Sequence, residues 1–259
     1  MDLDDVKNIS VYGANCVVDI SRGNDDTCRF VSAKEKNFRV EAVDGQLTVT
    51  QKSGNLLSRI IMRRIEFKLI LPRSFNGRLR LRNKNGGLYL KGGNFADVDV
   101  STKNGKFDVE DVACAEFALK MRNGSIFIKN MKAARDVTLK CSNGNIKAES
   151  VAAQELTISC HNAGLSAVDI KTDKFDCSTH NGTIDASALD TSDIRLETSN
   201  GKITAMALGK RDDYRLTLET ANGTIAVDGT PSKNISDVAA AKKRLNARTS
   251  NGDIDIRFV

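Results

Sequence analysis

Two imidazoles, a run of cations and six thiols are the groups of this 259-residue chain whose spacing could do chemistry. His161 and His180, the only histidines, stand 19 residues apart, each one residue before an Asn. If both occupy the same place in adjacent strands, their rings project from one face about 5 Å apart, a distance one metal ion could bridge. Ser142 and Ser199 hold the corresponding places on either side, so the ligand set is incomplete and neither a metal nor another cofactor is expected. Arg78, Arg80, Arg82 and Lys84 alternate with Leu79, Leu81 and Asn83, which puts four cations on one outward face as a stripe able to hold phosphate or another polyanion. Around that stripe, basic residues including Arg59, Arg63, Arg64, Lys68, Arg73 and Lys91 are opposed by Glu66 alone. Only Phe67, Phe75 and Tyr89 accompany them, too few stacking platforms for a nucleic-acid binder. The partners this admits are an anionic polymer, a glycan or a protein, and the plain alternative is a charged edge that resists aggregation.

Cys141 and Cys160 also stand 19 residues apart, within disulfide reach if their strands adjoin, but parallel Cβ vectors suit the required dihedral poorly. Reduced, packed thiols are therefore expected for these two and for Cys16, Cys28, Cys114 and Cys177; no CxxC pair marks a zinc site. No nucleophile, metal or phosphate motif is present, and outward acids such as Asp97, Asp99 and Asp136 form no recurrent cluster, so no catalytic residue is assigned.

The common spacing of 19 belongs to a repeat. Asn-Gly occurs nine times, at Asn76, Asn85, Asn104, Asn123, Asn143, Asn181, Asn200, Asn222 and Asn251, where chance predicts about 1.5. With Asn162 included, the steps from Asn85 to Asn200 are 19 or 20 residues, followed by 22 to Asn222 and 29 to Asn251. Positions two, four and six before each Asn, and three, five and eight after it, stay apolar or small. Four before runs Leu81, Val100, Leu119, Leu139, Ile158, Cys177, Leu196, Leu218 and Ala247; three after runs Leu88, Phe107, Ile126, Ile146, Leu165, Ile184, Ile203, Ile225 and Ile254. The residues between are polar, so two strand segments flank every Asn-Gly.

That parity fits a hairpin as well as a bend between stacked coils, since Asn-Gly is also a strong two-residue hairpin signal. Near-constant length favours coils, because each must return to the same point whereas hairpin loops can vary. Asparagine suits such a corner by tolerating left-handed backbone and by bonding to the equivalent amide one coil along; glycine follows where the bend leaves no room for Cβ. The expected fold is all-β, a single-stranded parallel β-helix of about nine 19-residue coils from Asn85 to Asn251.

Segments such as Asp136-Val137-Thr138-Leu139-Lys140-Cys141-Ser142-Asn143-Gly144-Asn145-Ile146, Ile194 to Ile203 and Thr249 to Ile256 resemble the bacterial putative-adhesin domain family of β-strand repeat proteins. The resemblance covers most of the chain. It implies a right-handed β-solenoid whose specific function is largely unknown, with no catalytic residues to carry over, and relatives that are often exported or membrane-anchored.

Residues 1–72 are strand-rich but off the repeat register, with Asp44-Gly45 as a hairpin turn, and read as an N-terminal β cap; 73–259 are the solenoid. Ser236 to Leu245 reads as a short helix within an insertion near 232–245. Pro72 and Pro231 fall where the repeat begins and is interrupted, as expected if proline stays out of paired strands. Hydrophobic residues at 40% and charged residues at 28% exclude intrinsic disorder and a membrane-spanning bundle. The acidic start, without an apolar run of signal-peptide length, predicts a cytoplasmic protein; analogy with relatives gives the cell surface as the alternative. The functional expectation is a non-enzymatic binding or scaffold protein acting through its surface, with a carbohydrate-active β-helix enzyme, a lyase or hydrolase, as the alternative. A steady 19-residue coil leaves little loop from which to wall an active-site groove.

Overall fold

A computed structural model describes residues 2–3, 6–52, 65–237 and 241–259. Among these the protein is all-β, with strands paired mostly in parallel and two short 3-10 turns, Glu35–Asn37 and Arg211–Asp213. Arg59, Arg63 and Arg64 lie outside the described residues. The chain divides into two compact units, Met1–Lys132 and Ala133–Val259.

The first unit holds β1 (Asp2–Leu3), β2 (Asn8–Tyr12), β3 (Cys16–Arg22), β4 (Cys28–Val31), β5 (Phe38–Val43), β6 (Gln46–Gln51), β7 (Ile65–Leu71), β8 (Arg78–Asn85) and nearly all of β9 (Leu88–Ala133). β8 pairs in parallel with β9 at an offset of 19 residues, Leu81 opposite Val100 and Asn85 opposite Asn104. The segment expected to be off register proves to carry the repeat. β2 runs parallel to both β6 and β8, with Ile9 facing Leu47 and Leu79, and β3 runs parallel to both β7 and β9, with Ile20 facing Leu69 and Leu90. Ile9, Val11, Val18 and Ile20 are all buried, six and four before and three and five after Asn15, the places apolar residues take around every corner. Cys16 stands where every other corner except that of Asn162, which has Ala163, carries glycine, so an Asn-Gly search passes this coil over.

On their other side β6 and β7 meet antiparallel strands, β5 and β4. The turn between β5 and β6 is the expected hairpin, with Asp44 and Gly45 both at positive φ. The rings of Phe30, Phe38 and Phe67 lie 5.0 to 5.6 Å apart, which puts three of ten phenylalanines in one cluster.

The second unit holds β10 (Asp136–Asn143), β11 (Ile146–Asn162), β12 (Leu165–Asn181), β13 (Ile184–Asn200), β14 (Ile203–Ala207), β15 (Tyr214–Asn222), β16 (Ile225–Val227), β17 (Thr230–Ser232), β18 (Ile235–Ser236), β19 (Lys243–Asn251) and β20 (Ile254–Phe258). Parallel pairing at 19 residues stacks like on like: Leu139, Ile158, Cys177 and Leu196 form one buried column, and Ile146, Leu165, Ile184 and Ile203 another. Burying such stripes on both sides of every corner is the main stabilising term, at roughly 1.5–3 kcal/mol per large aliphatic side chain.

Coil order departs from chain order at the C-terminal end. β19 and β20 insert between the coil of β13–β14 and the coil of β15–β16, so Ala247 faces both Leu196 and Leu218, and Ile254 faces both Ile203 and Ile225. The antiparallel β17 and β18 line the other side of β16 and β15. Pro231 does enter a strand, but among the described residues β17 is paired on one side, with β16, so a missing N–H on its other side costs no ladder bond. The helix expected over 236–245 is not what the described residues form: Ser236 ends β18, Lys243 begins β19, and 238–240 lie outside them. Leu245 and Ala247 alternate with polar neighbours, and in-register partners on both sides decide for strand.

Candidate functional site

The feature repeated on every coil is the corner. In the first unit the amide of Asn85 donates to Asn15 Oδ1 at 2.6 Å, Asn104 to Asn85 at 2.6 Å, and Asn123 to Asn104 at 2.7 Å. In the second unit Asn162 donates to Asn143, Asn181 to Asn162 and Asn200 to Asn181, each at 2.8 Å. Asn251 then donates to Asn200 at 2.7 Å, and Asn222 to Asn251 at 2.9 Å. Each of the nine expected corner asparagines thus takes part in a ladder, with Asn15 added and Asn251 moved ahead of Asn222.

Glycine follows for a steric reason: a Cβ on Gly105 would stand 1.6 Å from the Gly86 carbonyl oxygen of the adjacent coil, and one on Gly86 1.9 Å from that of Cys16. Two residues before the Asn, an inward polar side chain braces the same carbonyl. Thr198 Oγ1 donates to Gly182 O at 3.0 Å, Thr249 to Gly201 O at 3.1 Å, Thr220 to Gly252 O at 2.9 Å, and Asn83 Nδ2 to Cys16 O at 2.8 Å.

A second corner lies seven residues after the Asn. Gly92, Asp111, Asn130, Ser150, Asp169 and Ala188 all have positive φ, between 51° and 69°. Asn130 donates to Asp111 at 2.9 Å and Ser150 to Asp169 at 2.8 Å, which makes a partial second ladder. Its signal in the sequence is the run of Gly, Asp, Asn and Ser in that column, residues that tolerate left-handed backbone.

The basic stripe is largely engaged with acids of the next coil. Arg78 Nε lies 3.1 Å from Asp97, Arg80 Nε lies 3.8 Å from Asp99, and Arg82 holds Asp99 through both terminal nitrogens. Of the four, Lys84 has no acidic partner among the described residues.

His161 and His180 sit side by side as the repeat predicts, ring centroids 5.0 Å apart and 2° from parallel. Stacked in that way, their nitrogen lone pairs point in parallel and do not converge on one ion. Among the described residues no three His, Cys, Asp or Glu side chains are grouped to hold a metal.

Cys141 and Cys160 face each other in register as free thiols. A hydrogen bond from Cys141 holds the Cys160 thiol below its usual range, while burial pushes Cys16 up to about 12. Desolvation likewise raises Asp176, against the opposing pull of Arg195 and Lys174.

A hollow of about 240 Å³ opens on the second unit where the short side chains of Asn246 and Thr217 lie among Arg195, Glu197, Glu219 and Arg248. Its two carboxylates are both ion-paired, Glu197 with Arg195 at 2.7 Å and Glu219 with Arg248 at 3.6 Å. No helix among the described residues is long and apolar enough to cross a membrane.

Two solved structures share this architecture: a putative adhesin from Parabacteroides distasonis, with TM-score 0.50, 11% identity and coverage of 100% of this chain and 94% of that one, and a putative adhesin from Parabacteroides merdae, with TM-score 0.51, 10% identity and the same coverage. At such identity the likeness is one of fold. No curated protein matches the sequence. The family model described as Toastrack DUF4097 matches residues 6–257, nearly the whole span over which corners, inward columns and parallel registers recur. The chain is a member of the Toastrack DUF4097 family.

Proposed function

We propose that this protein is a non-enzymatic, adhesin-like binding module that engages its partner through the outer surface of the coils. The observation that carries the reading is the absence of walls: β11, β12 and β13 each run 17 residues and are parted at the corners by two. A glycosidase needs a carboxyl held protonated beside a second carboxylate, in a groove deep enough to distort a sugar ring. Here many outward carboxylates are ion-paired with cations one coil along or two residues away, as in Glu155–Lys174 and Glu197–Arg195. The names of the two Parabacteroides structures point to adhesion rather than to a reaction.

On this reading the coils wind as a right-handed, single-stranded parallel β-helix of about nine turns, and antiparallel strands such as β4 and β5 act as its cap. The 19-residue parallel offset supports the winding, and a strand edge left open would invite stacking of one molecule on another. Six unbonded cysteines favour a reducing compartment, the cytoplasm, over the cell surface.

An array of neutral and acidic glycans, probed with the full chain and followed by product analysis, tests the function. Retention of intact glycans by the immobilised chain is expected. Shortened or unsaturated oligosaccharides in the eluate would overturn the reading in favour of a lyase or hydrolase.

A further inference from the structure

Charges that stack from coil to coil in this protein mostly meet opposites, although Arg244, which meets Asp193 on one side, faces Arg215 on the other. Arg78 meets Asp97 at 3.1 Å and Lys91 meets Glu110 at 3.2 Å; in the second unit Lys174 meets Glu155 at 2.8 Å, Lys171 meets Asp190 at 3.8 Å, and Arg244 meets Asp193 at 2.7 Å. The rule follows from the spacing, because like charges directly opposite on paired strands destabilise the sheet and opposite charges support it.

One zone departs from the rule over three successive coils. Immediately before the corner Asn of three successive coils in the first unit stand Lys84, Lys103 and Arg122, all exposed; two residues further back stand Arg82, Ser101 and Lys120. Neither column holds an acid in these coils. Arg82 is tied to Asp99, but Lys84, Lys103 and Lys120 have no ion-pair partner among the described residues. The repeat did not require this, since the same columns hold Ser142, Ser159, His161, Ser178 and His180 in the second unit. Beside the cations runs the amide ladder. Asn85 and Asn104, both exposed, each use one N–H and one lone pair along the ladder and retain a second of each. Tyr12, 43% exposed, stands in register with Arg82 at the flank of this zone.

We propose that this ridge binds an acidic polysaccharide lying along the stack, across the strands. Its carboxylates or sulfates would meet Lys84, Lys103 and Lys120, its hydroxyls the amides of Asn85 and Asn104, and a sugar face the ring of Tyr12. Coils about 4.8 Å apart supply one such set of groups per step, a spacing the fold holds rigid without the ligand. Nucleic acid fits less well, since successive bases need successive aromatic platforms and the ridge offers one exposed ring. The site differs from a stripe running along β8: Arg78 and Arg80 face Asp97 and Asp99, and the unneutralised charge runs from strand to strand. The inference rests on the reading of the chain as a binding module and adds the class of ligand.

The test is titration calorimetry on the full chain with a heparin octasaccharide, a polygalacturonate oligomer, a neutral cello-oligosaccharide and a single-stranded oligonucleotide. Both acidic glycans should bind, and Lys84→Gln/Lys103→Gln/Lys120→Gln should weaken them about tenfold or more and flatten the salt dependence by two to three contacts. Arg78→Gln/Arg80→Gln should leave affinity within about twofold, a contrast set by their existing partners. All five positions are outward, and thermal unfolding of both variants verifies that the fold is kept. Failure of both acidic glycans to bind, equal losses in the two variants, or tighter binding of the oligonucleotide would each overturn the ridge. Cleavage of the bound glycan, with affinity still lost in the lysine variant, would uphold the ridge and overturn the non-enzymatic reading; binding of the neutral glycan alone would do the reverse.

Discussion

Cys160 shows how one position can hold two chemistries at unequal cost. Its column is threonine at Thr179, Thr198 and Thr249, where a hydroxyl reaches the corner carbonyl of the neighbouring coil at 3.0 to 3.1 Å in the latter two; the Cys160 sulfur lies 3.8 Å from Gly144 O. A thiol is the weaker donor, so Cys160→Thr should stabilise the protein by about 0.5–1 kcal/mol, a normal net hydrogen bond. Thermal unfolding reads this as a rise of about 1–4 °C, and a fall would show that the thiol packs in a way the hydroxyl cannot. The two histidines are a simpler case. Their equal spacing from neighbouring corners foretold the stacked rings, and the same equality keeps their lone pairs parallel.

The corner is the element on which register depends, and its two bends make opposite demands. At the first, backbone meets backbone: Gly105→Ala drives a methyl to 1.6 Å from the Gly86 oxygen, and a loss of roughly 3 kcal/mol or more is expected. At the second, Ala188 holds φ at 51° with no side-chain group to compensate, in a column that elsewhere prefers Gly, Asp, Asn and Ser. Ala188→Gly should therefore stabilise by about 0.5–1 kcal/mol, the relief of left-handed strain less the greater freedom of glycine in the unfolded chain. Denaturant unfolding of the pair gives a sign test: both variants shifting downward would mean that the second bend is not strained. The first bend was legible in the sequence because Asn-Gly is rare by chance. The second was not, because four residue types satisfy it and no single dipeptide marks it.

Each compact unit resolves the problem of a chain terminus in the same way. The strands of the first coil, β2 and β3, and of the last in the chain, β19 and β20, do not lie at the outer face of their units; each pair is bonded in parallel on both sides. A strand bonded on two sides frays less than one bonded on one, and the coils left outermost, β6–β7 and β15–β16, are met by antiparallel strands. Truncation after residue 242 removes the inserted coil and leaves both β13–β14 and β15–β16 without their shared partner. Amide exchange at Gly201 and Ile203, whose N–H groups donate to Asn251 and Asp253 of the removed coil, should then approach that of an unprotected chain, or the protein should fail to accumulate in soluble form. Retained protection would mean that β15 has closed onto β13, its columns being equivalent.

Period-two polarity around a constant step carried the strands, the stacking, the inward columns and the nine corner asparagines, because each coil makes the same local demands and the residues that meet them recur at countable distance. Three matters were settled by packing alone. Asn15 joins the ladder although Cys16 replaces the marker glycine, Asn251 sits between Asn200 and Asn222 although it follows both in the chain, and Arg78, Arg80 and Arg82 are neutralised while Lys84, Lys103 and Lys120 are not. Periodicity states what a coil is, but equivalent coils can be stacked in more than one order. Which coil lies beside which, and so which charges meet, is decided by the free energy of whole interfaces between them.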